Sequence, residues 1–118
     1  MKRRLVVCIL VLATALLAQP ASRADAEADL IAKVAAAKTA ADHEAIAAEF
    51  EQEAKDLEGK AAFHADLAKH YAMNQSAHTI KPRLEKHCEN LSASLKKAAE
   101  QAKEMAKLHH ELAKKAPQ

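Results

Sequence analysis

From Leu84 to Leu112 the residues Leu84, Cys88, Leu91, Leu95, Ala98, Ala102, Met105, His109 and Leu112 recur at alternating steps of four and three, without a slip. That spacing puts them on one seam of an α-helix, and a seam sustained so long needs a second helix lying along it. A β-strand cannot use the pattern, because strand side chains alternate with a period of two. The chain is therefore expected to be all-α, and the search is for the partner helix.

It lies upstream. His43, Phe50, Leu57, His64 and Tyr71 recur every seven residues, and Ala47, Ala54, Ala61 and Ala68 form a parallel row beside them. Alanine at that interval lets two helices approach closely. Thr39 with Asp42 three residues on forms a capping-box-like start, Asp replacing the usual Glu or Gln, for a helix over about 40–72. Met73 to Thr79, with Asn74, Gln75 and Ser76, has turn composition. Pro82, tolerated in a first turn, opens a helix over about 81–115. A shorter helix over about 27–37 carries Leu30, Ile31 and Val34 on one stripe. The outer faces hold pairs such as Glu51/Lys55, Asp56/Lys60 and Glu111/Lys115, each worth roughly 0.2–0.5 kcal/mol. The expected fold is a long antiparallel helical hairpin plus a short N-terminal helix. That is a three-helix bundle, or a four-helix-type bundle as a homodimer: the short helix covers only part of the seam, and a second copy is the expected remedy.

The first residues carry a different signal. Met1-Lys2-Arg3-Arg4 is basic, Leu5 to Ala18 is apolar, and Ser22-x-Ala24 and Ala24-x-Ala26 are candidate cleavage sites. This is the layout of a secretory signal peptide, and the run is shorter than the roughly 20 residues of a membrane span. Residues 1–24 are expected to be a signal peptide that takes Cys8 with it, and residues 25–118 a single exported, periplasmic domain. Loss of Lys2, Arg3, Arg4 and Arg23 turns 18 basic against 16 acidic residues into 14 against 16. A net charge of −2 lacks the basic footprint of a nucleic-acid binder. About 25 alanines, three aromatic residues (Phe50, Phe63, Tyr71) and one glycine (Gly59) remain, so the core must be thin. A single cysteine, Cys88, leaves no internal disulfide: it is buried, bonded to another chain, or a ligand.

The polar residues of the seam define the candidate site. If the hairpin turns near Ser76, residues whose numbers sum to about 152 face each other. Leu57 then meets Leu95, His64 meets Cys88, and His43 meets His109. An internal echo has the same sense: His64-Ala-Asp-Leu-Ala-Lys69 recurs as His109-His-Glu-Leu-Ala-Lys114, offset by 45 residues, and the offset superposes His43 on Cys88 and Ile46 on Leu91. Imidazole and thiolate suit copper or zinc. The candidate metal ligands are His64, Cys88, His43, His109 and His87, with His70 and His110 close by and Asp42, Glu44 or Asp66 as acceptors orienting the rings. Two ligands per layer do not close a zinc site; a dimer could supply His64 and Cys88 twice. The competing reading makes the same residues core groups that fix helix register.

The segment Thr39-Ala-Ala-Asp-His-Glu-Ala-Ile-Ala-Ala-Glu-Phe-Glu-Gln-Glu-Ala54 resembles a family of small exported bacterial proteins of unknown function. Their long helix opens with Thr-x-x-Asp-His-Glu-Ala-Ile/Leu-Ala. His64, Ala68 and Tyr71 match a later part of the pattern, His87-Cys88 matches a His-Cys pair, and His109 matches a His in an Ala/Leu-rich tail. Ala40 stands where that family often has Pro, and Phe50 where it often has Tyr. The resemblance spans about residues 39–113 and implies a periplasmic helical hairpin without an assigned activity.

No enzyme is indicated: there is no Ser/His/Asp set, no glycine-rich phosphate loop and no carboxylate pair set in an apolar seam. The sequence expectation is a candidate copper- or zinc-binding periplasmic protein. Its alternative is a non-catalytic structural or interaction module, and a membrane-surface amphipathic protein is disfavoured by the mixed charge of the polar faces.

Overall fold

A computed structural model describes residues 22–73 and 81–118. Residues 1–21, which hold Cys8 and most of the expected signal peptide 1–24, and residues 74–80, on which the expected turn and His78 fall, lie outside the described residues. Three helices account for almost all of the rest: α1, Arg23–Ala36; α2, Ala40–Met73; and α3, Lys81–Lys115. At about 1.5 Å per residue, the 34 and 35 residues of α2 and α3 give rods on the order of 50 Å long.

α1 begins four residues before the expected Glu27. Ser22 and Asp25 make a full capping box: Asp25 N donates to Ser22 Oγ (3.3 Å) and Ser22 N to Asp25 Oδ2 (3.1 Å). Small residues suited to a cleavage zone thus also make a helix start; cleavage after Ala24 would remove the cap. The expected start of α2 is present. Asp42 N donates to Thr39 Oγ1 (3.2 Å), while Asp42 Oδ2 accepts from the Lys38 and Thr39 amides, both at 2.9 Å. These bonds, the backbone ones first, hold the Asp42 carboxyl below its ordinary range.

α2 and α3 pack along their length as the hairpin, whereas α1 touches α2 lightly and α3 not at all. Ala47, Ala54, Ala61 and Ala68 of α2 are buried. Facing them, α3 buries Ser92, Ala99, Ala106 and Ala113, with Ala102 and His109 beside that row. Ser92 Oγ donates to the Ala61 carbonyl at 2.8 Å, pinning the two rows together. Among the described residues the only large apolar side chain fully buried is Ile46. The core is a line of methyl groups.

This corrects the expected seam of α3. Ala102 and His109 are buried and Cys88, Leu95 and Ala98 half-buried. Leu84, Leu91, Met105 and Leu112 are exposed, the last three at 44%, 42% and 46%. The helix is turned by roughly 50°, half the angle between successive residues, so that the small row 92/99/106/113 meets α2 instead of 91/98/105/112. The reason is closeness. Methyl groups meeting methyl groups let the backbones approach, and leucine or methionine in the same positions would wedge them apart. The 45-residue echo is carried through, since it maps Ala47, Ala54, Ala61 and Ala68 onto Ser92, Ala99, Ala106 and Ala113.

Candidate functional site

The histidines expected to face each other across one end of the hairpin do so. His43 Nδ1 and His109 Nδ1 are 3.2 Å apart, and the two rings are tilted by 36° with centroids 5.4 Å apart. Phe50, one heptad after His43, stacks on His109 with centroids 5.8 Å apart. His109 is buried and His43 half-buried. Burial, and then the charge His43 carries when protonated, lowers the His109 pKa from the ordinary imidazole value of about 6.5. His109 is therefore uncharged at neutral pH, and in the contact one ring donates an N–H to the bare nitrogen of the other.

Next to it is a second contact across the hairpin. His110 Nδ1 lies 2.7 Å from Glu44 Oε2, and His110 Nε2 lies 3.0 Å from Glu51 Oε1. Both ring nitrogens thus face carboxylates, and these contacts, Glu51 before Glu44, raise the His110 pKa. The result is a clasp from α3 across two turns of α2. Glu44 and Glu51 are seven residues apart, so both lie on the same side of α2. Glu51 is consequently directed to His110 rather than to Lys55. Of the other acceptors proposed for imidazoles, Asp42 is engaged in the α2 cap and Asp66 pairs with Lys69 at 2.9 Å.

The second layer is looser. The Ser92–Ala61 and His43–His109 contacts establish a register that sets His64 level with Cys88. Cys88 is a half-buried free thiol, and His64 Nδ1 is buried without a hydrogen-bond partner. Phe63 meets the His64 ring edge-on at 5.2 Å. His70 and His87 are exposed. Among the described residues no three or more His, Cys, Asp or Glu side chains come together as a metal-holding group. Of the five candidate ligands, the structure brings His43 and His109 into direct contact.

An apolar feature lies outside the histidine layers: Leu84, Leu91, Met105, Leu108 and Leu112 are exposed along α3, and α1 makes no contact with that helix. Ile31 and Val34 of α1 add further uncovered surface. An open groove of about 350 Å³ between α1 and α2 is lined by Arg23, Leu30, Glu53, Leu57 and Lys60 among others, with charges of both signs and no converging donor set. No described helix is long and apolar enough to cross a membrane. No protein-family model, no curated protein and no solved structure matches the chain.

Proposed function

We propose that this chain is a non-catalytic helical interaction module whose working surface is the apolar row of α3. The observation that carries the reading is that row: four large side chains, Leu91, Met105, Leu108 and Leu112, are each more than two-fifths exposed on a helix whose inward row holds only small residues and histidine. Isolated exposed apolar residues are ordinary on a soluble surface, but a contiguous stripe marks a contact. The histidines then serve the hairpin itself: His43–His109 sets register and His110 clasps the end. The module works outside the cytoplasm, in the periplasm, a reading supported by the basic start and apolar run of residues 1–18. Expression of the full chain in a bacterium, with fractionation and intact mass of the recovered protein, tests that location. Recovery of full-length chain in the cytosol would overturn it.

To test the surface, Leu91→Glu and Leu108→Glu are compared with the parent for self-association and for binding of apolar dyes. Loss of both properties with helicity intact supports the module. Unchanged association and dye binding would remove the row as its working surface.

A second reading is favoured by one distance. Two imidazole nitrogens bound to one zinc ion at about 2.0–2.1 Å in tetrahedral geometry lie roughly 3.3 Å apart, close to the 3.2 Å between His43 Nδ1 and His109 Nδ1. His109, held neutral by burial, is in the ligating form. Zinc or copper would then bridge α2 and α3, with water or a second chain completing the coordination. Calorimetric titration of the parent, His43→Ala and a His64→Ala/Cys88→Ala double variant decides between the layers. Binding lost in one variant locates the metal, and equal heats in all three would remove the metal reading.

A further inference from the structure

Resting on the reading of α3 as a docking surface, we infer that its occupant is the same row of a second copy, running antiparallel. Three features of the row argue for it.

The first is symmetry. Leu84, Leu91, Ala98, Met105 and Leu112 follow one another at intervals of seven, and about Ala98 the large residues are balanced: Leu91 and Met105 at seven residues on either side, Leu84 and Leu112 at fourteen. An antiparallel copy turned about Ala98 sets large against large and alanine against alanine, with Leu108 filling beside Leu91. A two-fold interface needs such a self-complementary patch, and a small residue at the crossing point lets the helices close.

Charge gives the direction. The row on the outer side of the stripe is Arg83, Asn90, Lys97, Glu104 and Glu111, basic in its first half and acidic in its last. Antiparallel pairing brings Arg83 towards Glu111 of the second copy and Glu104 towards its Asn90, and leaves one like-charge approach, Lys97 to Lys97, at the centre. Parallel pairing stacks arginine on arginine and glutamate on glutamate. Within the chain Glu104 reaches Lys107 at 3.6 Å, an exposed pair that leaves it available. Rim charges of this kind select orientation more than they add affinity.

The third feature is the broken internal symmetry. The 45-residue offset superposes Leu91 on Ile46, yet Ile46 is 1% exposed and Leu91 44%. α1 packs on α2 and has no counterpart on α3. A second copy supplies the cover that the chain gives to one helix and withholds from the other. Antiparallel pairing also keeps the two Cys88 residues about 30 Å apart along the helices, at 1.5 Å per residue, so oxidation does not link the native copies through them.

The test uses the full chain with Cys8→Ala and Cys88→Ala, made as separate Leu91→Cys and Met105→Cys variants whose helicity is checked by circular dichroism. Light scattering is expected to give a dimer. A short thiol-to-thiol crosslinker is expected to join the copies when the two variants are mixed and to leave each alone uncrosslinked, since in an antiparallel pair identical positions lie about 21 Å apart. Crosslinking of Leu91→Cys alone, as strong as in the mixture, means a parallel dimer and overturns the inference. A monomer at every concentration also overturns it, and the melting temperature of Leu91→Glu then decides what else falls. If it matches the parent, the row is free for another occupant and the docking reading stands; if it drops, the row belongs to the chain's own core and that reading falls too.

Discussion

At the scale of single residues, His109 and His110 are neighbours in sequence with opposite environments. His110, between Glu51 and Glu44, has its pKa raised; His109, against Phe50 and His43, has its pKa lowered by burial and then by His43. Linkage gives the signs. The stabilisation from His110 is fully present below the unfolded-state value near 6.5 and is lost as pH rises through its higher folded value. For His109 the penalty appears as pH falls through about 6.5, where the unfolded ring takes up a proton that the folded ring resists. Nuclear magnetic resonance titration of the ring protons should therefore show His110 titrating above 6.5 and His109 below it. His110→Gln should remove a fall in melting temperature as pH rises above about 6.5, and His109→Gln should remove a loss as pH falls below about 6.5. Parallel pH profiles for both variants and the parent would contradict these assignments.

At the scale of the helices, stability is held by the fit of small rows. Ala99 is fully buried in the row that faces α2. Ala99→Leu should cost about 1–3 kcal/mol through overpacking, whereas Leu91→Ala in dilute protein should cost within about 0.5 kcal/mol, as exposed substitutions do. Chemical denaturation at low concentration measures both; the reverse order would mean that α3 is turned the other way. This contrast also marks how far the sequence could be read. Helix positions, the Thr39/Asp42 cap and the His43–His109 facing pair were legible, because they depend on local spacing and one loop position. The rotation of α3 was not. Hydrophobicity favours the leucine row as the seam and close approach favours the alanine row. A sequence pattern records the first preference, while the second appears only when two backbones are brought together. The His110 clasp was missed for a related reason: an exposed histidine is legible as a partner only once its neighbours across the hairpin are known. The register sets His64 level with Cys88, but level is not contact, and the His64 Nδ1 atom has no hydrogen bond.

At the scale of the whole molecule, the hairpin buries methyl groups and leaves leucine outside, which ties its stability to what covers α3. If a second copy does so, the melting temperature should rise with protein concentration, because binding that favours the folded state stabilises it by mass action. A tenfold dilution should lower the midpoint measurably, and Leu91→Glu should abolish the dependence while leaving the dilute-limit value in place. A midpoint independent of concentration over two decades would show that nothing in the homogeneous sample occupies the row. The alanine seam itself has a mechanical consequence. Identical methyl groups repeated every seven residues make a nearly smooth rail, along which one helix could slide by a heptad and find much the same contacts. Two features act as detents on that rail: the Ser92 hydroxyl seated on the Ala61 carbonyl near its middle, and the histidine pair at its end. The polar residues of this hairpin are thus its index marks, deciding where along an otherwise featureless track the two helices come to rest.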